Sequence, residues 1–206
     1  MDGERHTSTV PEGLPVLAAG RHRSPDRGSC VMEYVSVLAG MPWGDRPRCT
    51  DRTLAELAWR VNDDVRADAR PALAELAPRL VGAVGRRSAA DVVVAAVAEV
   101  ALELAPGDRV AARVRRRARA RLARRPRWPW LRAVARAVGG TGLDDAYLRV
   151  MFAVHGLGRP ERDAARLRAL HAATEAVRRH VGAREAPRPG PVATRPCPVP
   201  GGVGGR

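Results

Sequence analysis

Apolar side chains recur along this chain at spacings of three and four, and turn residues divide them into successive helical segments. Ser29 is placed to cap a helix from about Cys30 to Ala39, which Gly40 and Pro42 stop; its only polar positions are Glu33 and Ser36, so burial on most sides is expected. Thr50 or Thr53 opens the next helix, with Leu54, Leu57, Ala58 and Val61 on one face. Leu73, Leu76 and Leu80 continue the pattern after Pro71, and Pro78 is expected to interrupt or bend that segment. Ser88 and Asp91 have the spacing of a capping box ahead of an almost wholly apolar helix from about Ala89 to Leu104, the candidate for the centre of a bundle; Pro106-Gly107 ends it.

A helix from Asp108 to Arg125 follows, its stripe formed by Val110, Val114, Ala118 and Leu122, and Pro126 stops it. Pro129 suits the first turn of a further helix with Trp130, Val134 and Val138 on one face, closed by Gly139-Gly140. Leu143, Ala146, Tyr147, Val150, Met151 and Val154 form another stripe. The last helix starts near Pro160 and carries Leu167, Leu170, Thr174, Val177 and Val181. No segment sustains the alternation of a strand. The pattern predicts an all-α fold: a compact multi-helix bundle over 28–182. A flexible N-terminal arm is expected over 1–27, which lacks periodicity. A disordered Pro/Gly-rich tail is expected over 183–206, whose composition cannot build a core.

Composition supports helices. Of 206 residues 45% are hydrophobic, but Ala, Val and Leu supply nearly all of them, with one Phe and no Ile. The longest apolar stretch, Val92 to Ala105, is broken by Glu99 and Glu103 and is too short to span a bilayer, so no membrane partner is expected. Three cysteines, Cys30, Cys49 and Cys197, make an odd number without a short paired spacing, and Met1 to Thr9 lack the apolar run of a secretion signal. A reducing cytoplasm without disulfides is the expectation. No Gly-rich phosphate loop, nucleophile elbow or helix-turn-helix signature is present, and no cofactor is expected. His171 and Glu175, four residues apart on the last helix, are placed to touch a metal or, as such a lone pair more often does, to form an ordinary surface contact.

The most distinctive run is Gly28-Ser-Cys-Val-Met-Glu-Tyr-Val-Ser-Val-Leu-Ala-Gly-Met-Pro-Trp-Gly-Asp-Arg-Pro-Arg-Cys49, continuing to Val61-Asn-Asp63. It resembles a group of uncharacterised actinobacterial and actinophage proteins that share a Cys-x-Met-Glu helix, an Ala-Gly-x-Pro-(Trp/Phe)-x-Asp-x-Pro-x-Cys loop and a helix ending in Val-Asn-Asp. The resemblance covers about residues 28 to 82 and carries no known activity. Two kinds of chemistry fit these residues. Cys30 in a first helical turn would have its thiol pKa lowered by the dipole, with Glu33 on nearly the same side, which suits a thiol-dependent enzyme. Cys30, Asp45 and Cys49 would instead suit a metal. Against both, no His falls within the run, and His155, His171 and His180 would have to fold back. The structural alternative has Cys30 packed in the core, Glu33 capping the helix through the Ser29 backbone, and Trp43 plugging the core from a tight Pro-containing loop.

Charge changes the picture most. The formal net charge is +14, and all 36 basic residues are Arg, with no Lys or Gln, as a strong GC codon bias would give. No acid lies between Asp108 and Asp144, a gap holding 12 Arg; the other 24 Arg face 22 acids, so the surplus is local. The cluster of Arg113, Arg115, Arg116, Arg117, Arg119, Arg121, Arg124, Arg125 and Arg127, with Trp128 and Trp130 beside it, predicts a helix that docks along a thin seam. The best reading is a non-enzymatic protein binding nucleic acid or another polyanion through these arginines, with Trp128 stacking on bases. An adaptor for an acidic protein, or a plainly solvated face, are the alternatives.

Overall fold

The computed structural model describes residues 14–85, 89–123 and 142–185. Among them lie seven α-helices and no strand: α1 (Val31–Leu38), α2 (Arg52–Asp64), α3 (Arg70–Leu80), α4 (Ala89–Leu104), α5 (Arg109–Ala123), α6 (Leu143–Ala153) and α7 (Arg159–Glu185). Single 3-10 turns occupy Pro25–Arg27 and Ala67–Ala69. The chain is all-α, as its periodicity predicts.

Helix α4 is the hub. Its Val93, Val94, Val97, Ala98 and Ala101 are all buried, and α2, α5, α6 and α7 pack around it. Small Ala and Val side chains over so many positions let several helices approach one axis closely, and the large buried Leu side chains come from the surrounding helices: Leu54, Leu57, Leu73, Leu80, Leu143 and Leu170. Helix α1 joins by packing on α2 and α3. Every residue from Val31 to Ser36 is buried, the two polar ones included. Ala39 and Gly40 end it, Gly40 at φ +62, a conformation that suits glycine.

Charged side chains stitch α2 to the last two helices. Tyr147 donates its hydroxyl to Asp64 Oδ2 at 2.7 Å, and Asp163, itself buried, accepts from Arg66 and Arg166, each at 2.8 Å. Burial, and then the Asp64 carboxylate, push the Tyr147 phenol pKa up.

Several local expectations shift. Asp51, not Thr50 or Thr53, caps α2, its carboxylate accepting from Thr53 N and Leu54 N. Helix α3 continues through Pro78 to Leu80; the ring removes one N–H donor, and only two helical residues follow it. The buried seam of α5 is Ala111 and Ala118 with Val114 and Leu122 partly covered, while Val110 is exposed. Glu175 pairs with Arg79 on α3 in place of His171. Residues 14–27, read as the end of a mobile arm, lie against the domain: Leu17 forms an isolated parallel bridge with Ser29, and Gly20 N donates to Asp63 Oδ1 at 2.8 Å. The expected capping Ser88, the helix from Pro129, and the tail beyond Glu185 fall outside the described residues.

Candidate functional site

The signature residues converge at the N-terminus of α1, and the side chain at their centre is Glu33. It is 1% exposed, so its carboxylate needs donors from the protein. It has three. Cys30 N donates to Oε2 at 2.8 Å and His22 N to Oε1 at 2.9 Å, and the His22 ring places Nδ1 3.2 Å from Oε2. Nδ1 is thus the ring atom placed to donate to the carboxylate. Glu33 thereby ties the incoming segment to the helix start.

Cys30 is the N-cap itself, one residue later than the serine expected there, and its Sγ accepts from Glu33 N at 3.4 Å to complete a reciprocal box. Ser29 turns its hydroxyl to Val16 O instead. This position corrects the thiol reading. Burial pushes the Cys30 thiol up to about 12, with the nearby Glu33 carboxylate adding to it, and the helix N–H groups offset only part of that rise. A thiolate nucleophile is therefore disfavoured where the helix dipole alone would have favoured one. The metal reading fails on assembly: among the described residues no three His, Cys, Asp or Glu side chains form a group able to hold a metal ion. Cys30 and Asp45 border one small cavity of about 210 Å³, whereas Cys49 faces Thr50.

The rest of the signature serves the same junction. Asn62 is fully buried; its Oδ1 accepts from Val31 N and its Nδ2 donates to Ala18 O. Trp43 donates to His22 O and Trp59 to Asp45 O, each at 3.1 Å, so Trp43 closes over the incoming segment and does not plug the core. His22 is the participant that sequence reasoning missed. It lies before the Gly28–Cys49 run, and its signal in the sequence is indirect: a Glu among Val31, Met32, Tyr34 and Val35 must find donors somewhere.

An alkylation series checks this reading. In a Cys197→Ser chain at pH 8, the part-exposed Cys49 is expected to be alkylated first. Cys30, with a thiolate fraction of roughly 10⁻⁴ against roughly 0.2 for a free thiol, is expected to lag by about a thousandfold until the protein is denatured. Two equally fast thiols would refute the buried cap.

The arginine cluster is sorted by what precedes it. Glu99 on α4 takes Arg115 at 2.7 Å and Arg119 at 2.8 Å, and the buried Asp91 takes Arg121 at 3.3 Å. These three hold α5 to the hub. Arg109, Arg113, Arg116 and Arg117 are exposed and lie within about 100° of one another around the helix axis, and none of them pairs with a carboxylate among the described residues. Asp108, below this face, accepts from Val110 N, Ala111 N and Arg149 Nε. Arg124, Arg125, Arg127 and Trp128 fall outside the described residues. Compared with known proteins, the chain matches no family model, no curated protein and no solved structure.

Proposed function

We propose that the protein binds nucleic acid, without base specificity, through the outer face of α5. The observation supporting this reading is the separation of the arginines into two sets: one consumed by Glu99 and Asp91, the other of four guanidiniums aligned over roughly 12 Å of helix with no carboxylate partner among the described residues. Codon bias accounts for Arg standing where Lys would; it does not account for leaving one face of a helix free of every acid. Like charges at i,i+4, such as Arg109 with Arg113 and Arg113 with Arg117, cost a few tenths of a kcal/mol each, and a row of phosphates removes that cost. No helix among the described residues is long and apolar enough to cross a membrane, and the free Cys30 and Cys49 suit a reducing cytoplasm.

The size of the face sets the expected salt dependence. Four phosphate contacts give a slope of log K against log salt of about −3.6 on duplex DNA and about −2.8 on a single strand. Affinity for duplex is then expected to fall roughly 10²-fold between 50 and 200 mM salt, measured by fluorescence anisotropy on a labelled 20-mer. A slope near zero, or no binding at 50 mM salt, would remove the reading. Binding that is equally strong to an acidic polypeptide would favour the adaptor instead.

A further inference from the structure

A second concentration of positive charge lies away from α5. The loop before α2 and the outer face of α2 enclose a recess of about 600 Å³ walled by Arg46, Arg48, Arg52 and Arg60, with Trp59 and Glu56. That volume is in the range of small-molecule sites, roughly 300–1,000 Å³. Arg60 is neutralised, held at 2.9 Å by Glu56 and also by Asp144. Arg46, Arg48 and Arg52 are exposed and have no carboxylate partner among the described residues; Arg46 instead lies over the Trp59 ring, 5.0 Å from its centroid.

One further feature separates this recess from an ordinary solvated surface. Arg52 opens α2 beside the N-cap Asp51, whose carboxylate already accepts from Thr53 N and Leu54 N, so the recess rests on its side chains and not on the helix end. Its backbone is fixed before any ligand arrives. Trp59 is held by Asp45 O, Thr50 donates to Leu80 O at 2.9 Å, and Asp51 N donates to Ala83 O at 2.8 Å, so the loop is pinned from both sides. A held backbone thus presents three exposed guanidiniums, none with a carboxylate partner among the described residues, along one concave surface.

We propose that this recess binds a di- or triphosphate group. A nucleic-acid strand distributes single charges along its length, whereas a di- or triphosphate concentrates two to four on adjoining groups, which suits three guanidiniums bordering one recess. The group can arrive as a free oligophosphate or on a nucleoside, whose base would meet the Trp59 wall. This site does not depend on the α5 reading.

Calorimetric titration of the full chain with inorganic triphosphate and, separately, with ATP tests it at 50 mM salt without divalent cations. One saturable site is expected for each. The Arg48→Ala/Arg52→Ala chain should lose at least about tenfold in affinity, as should Arg46→Ala to a smaller extent, each checked for unchanged helicity by circular dichroism. An Arg113→Ala/Arg116→Ala/Arg117→Ala chain should bind both ligands unchanged. Equal affinities for the two ligands place recognition in the phosphates, and tighter ATP adds a ring contact; both support the site. No saturable binding of either, or equal losses in the α2 and α5 variants, overturns it. Since nucleic-acid binding is read from the α5 variant, failure of one site is distinguishable from failure of the other.

Discussion

Replacing Glu33 by Ala is expected to lower the free energy of unfolding by roughly 3–5 kcal/mol, since three donors are left without an acceptor at about 1–3 kcal/mol each. Three donors, Cys30 N, His22 N and the His22 ring, lose together an acceptor that is 1% exposed in the native fold. For a chain of this size the loss corresponds to a fall in Tm of about 6–20 °C. Glu33→Gln keeps the volume and two acceptor lone pairs but turns a donor toward one of the N–H groups, so about half the loss is expected. Glu56→Ala, at a half-exposed carboxylate paired with Arg60, is the control and should change stability by less than about 1 kcal/mol. Urea unfolding with an unchanged m-value reads all three. A Glu33→Ala chain as stable as the Glu56→Ala chain would show that the cluster does not hold the incoming segment.

That prediction also marks where sequence alone was informative. The existence of α1 and its burial could be read from an apolar run interrupted only by Glu33 and Ser36, and α4 to the residue, because an almost unbroken Ala/Val segment ends at Pro106-Gly107. The cap of α1 was misplaced by one residue. Serine is the better intrinsic cap, but the bridge between Leu17 and Ser29 engages the Ser29 backbone and leaves the cap to Cys30. Such a bridge has no sequence signal, since it joins residues 12 apart through backbone atoms. His22 was hidden for the same reason. The thiol reading failed because the helix dipole is a local property legible from position, whereas burial of Cys30 depends on what packs above it.

The arginines show the same division. Their number and local excess are plain in the sequence, but their sorting is not, because the deciding acids, Asp91 and Glu99, sit on α4, one helix earlier. The α2 recess was still less visible. Arg46, Arg48, Arg52 and Arg60 have no regular spacing, and in a chain where every cation is Arg they look like background until a loop and a helix place them around one volume.

The strongest functional effect is expected from removing the unpaired face of α5. In an Arg113→Ala/Arg116→Ala/Arg117→Ala chain, three of the four phosphate contacts disappear, so the salt slope should fall by about three and affinity for nucleic acid at 0.1 M salt should drop roughly 10²–10³-fold. The net charge falls from +14 to +11. A matched chain, Arg27→Ala/Arg159→Ala/Arg179→Ala, makes the same change at exposed positions elsewhere and separates a local site from a general attraction of a basic protein. If both triples lose affinity alike, the α5 face has no special role. Stability supplies a second, opposite readout. Alanine is the better helix former, and the substitutions remove like-charge neighbours without touching Arg115, Arg119 or Arg121, which hold the helix to Glu99 and Asp91. The α5 triple is therefore expected to be more stable than the native chain by roughly 0.5–1 kcal/mol. Lost binding together with a gain in stability is what a surface kept for a ligand, at a cost to the fold, predicts. Lost binding with lost stability would instead mean that the arginines hold the bundle together.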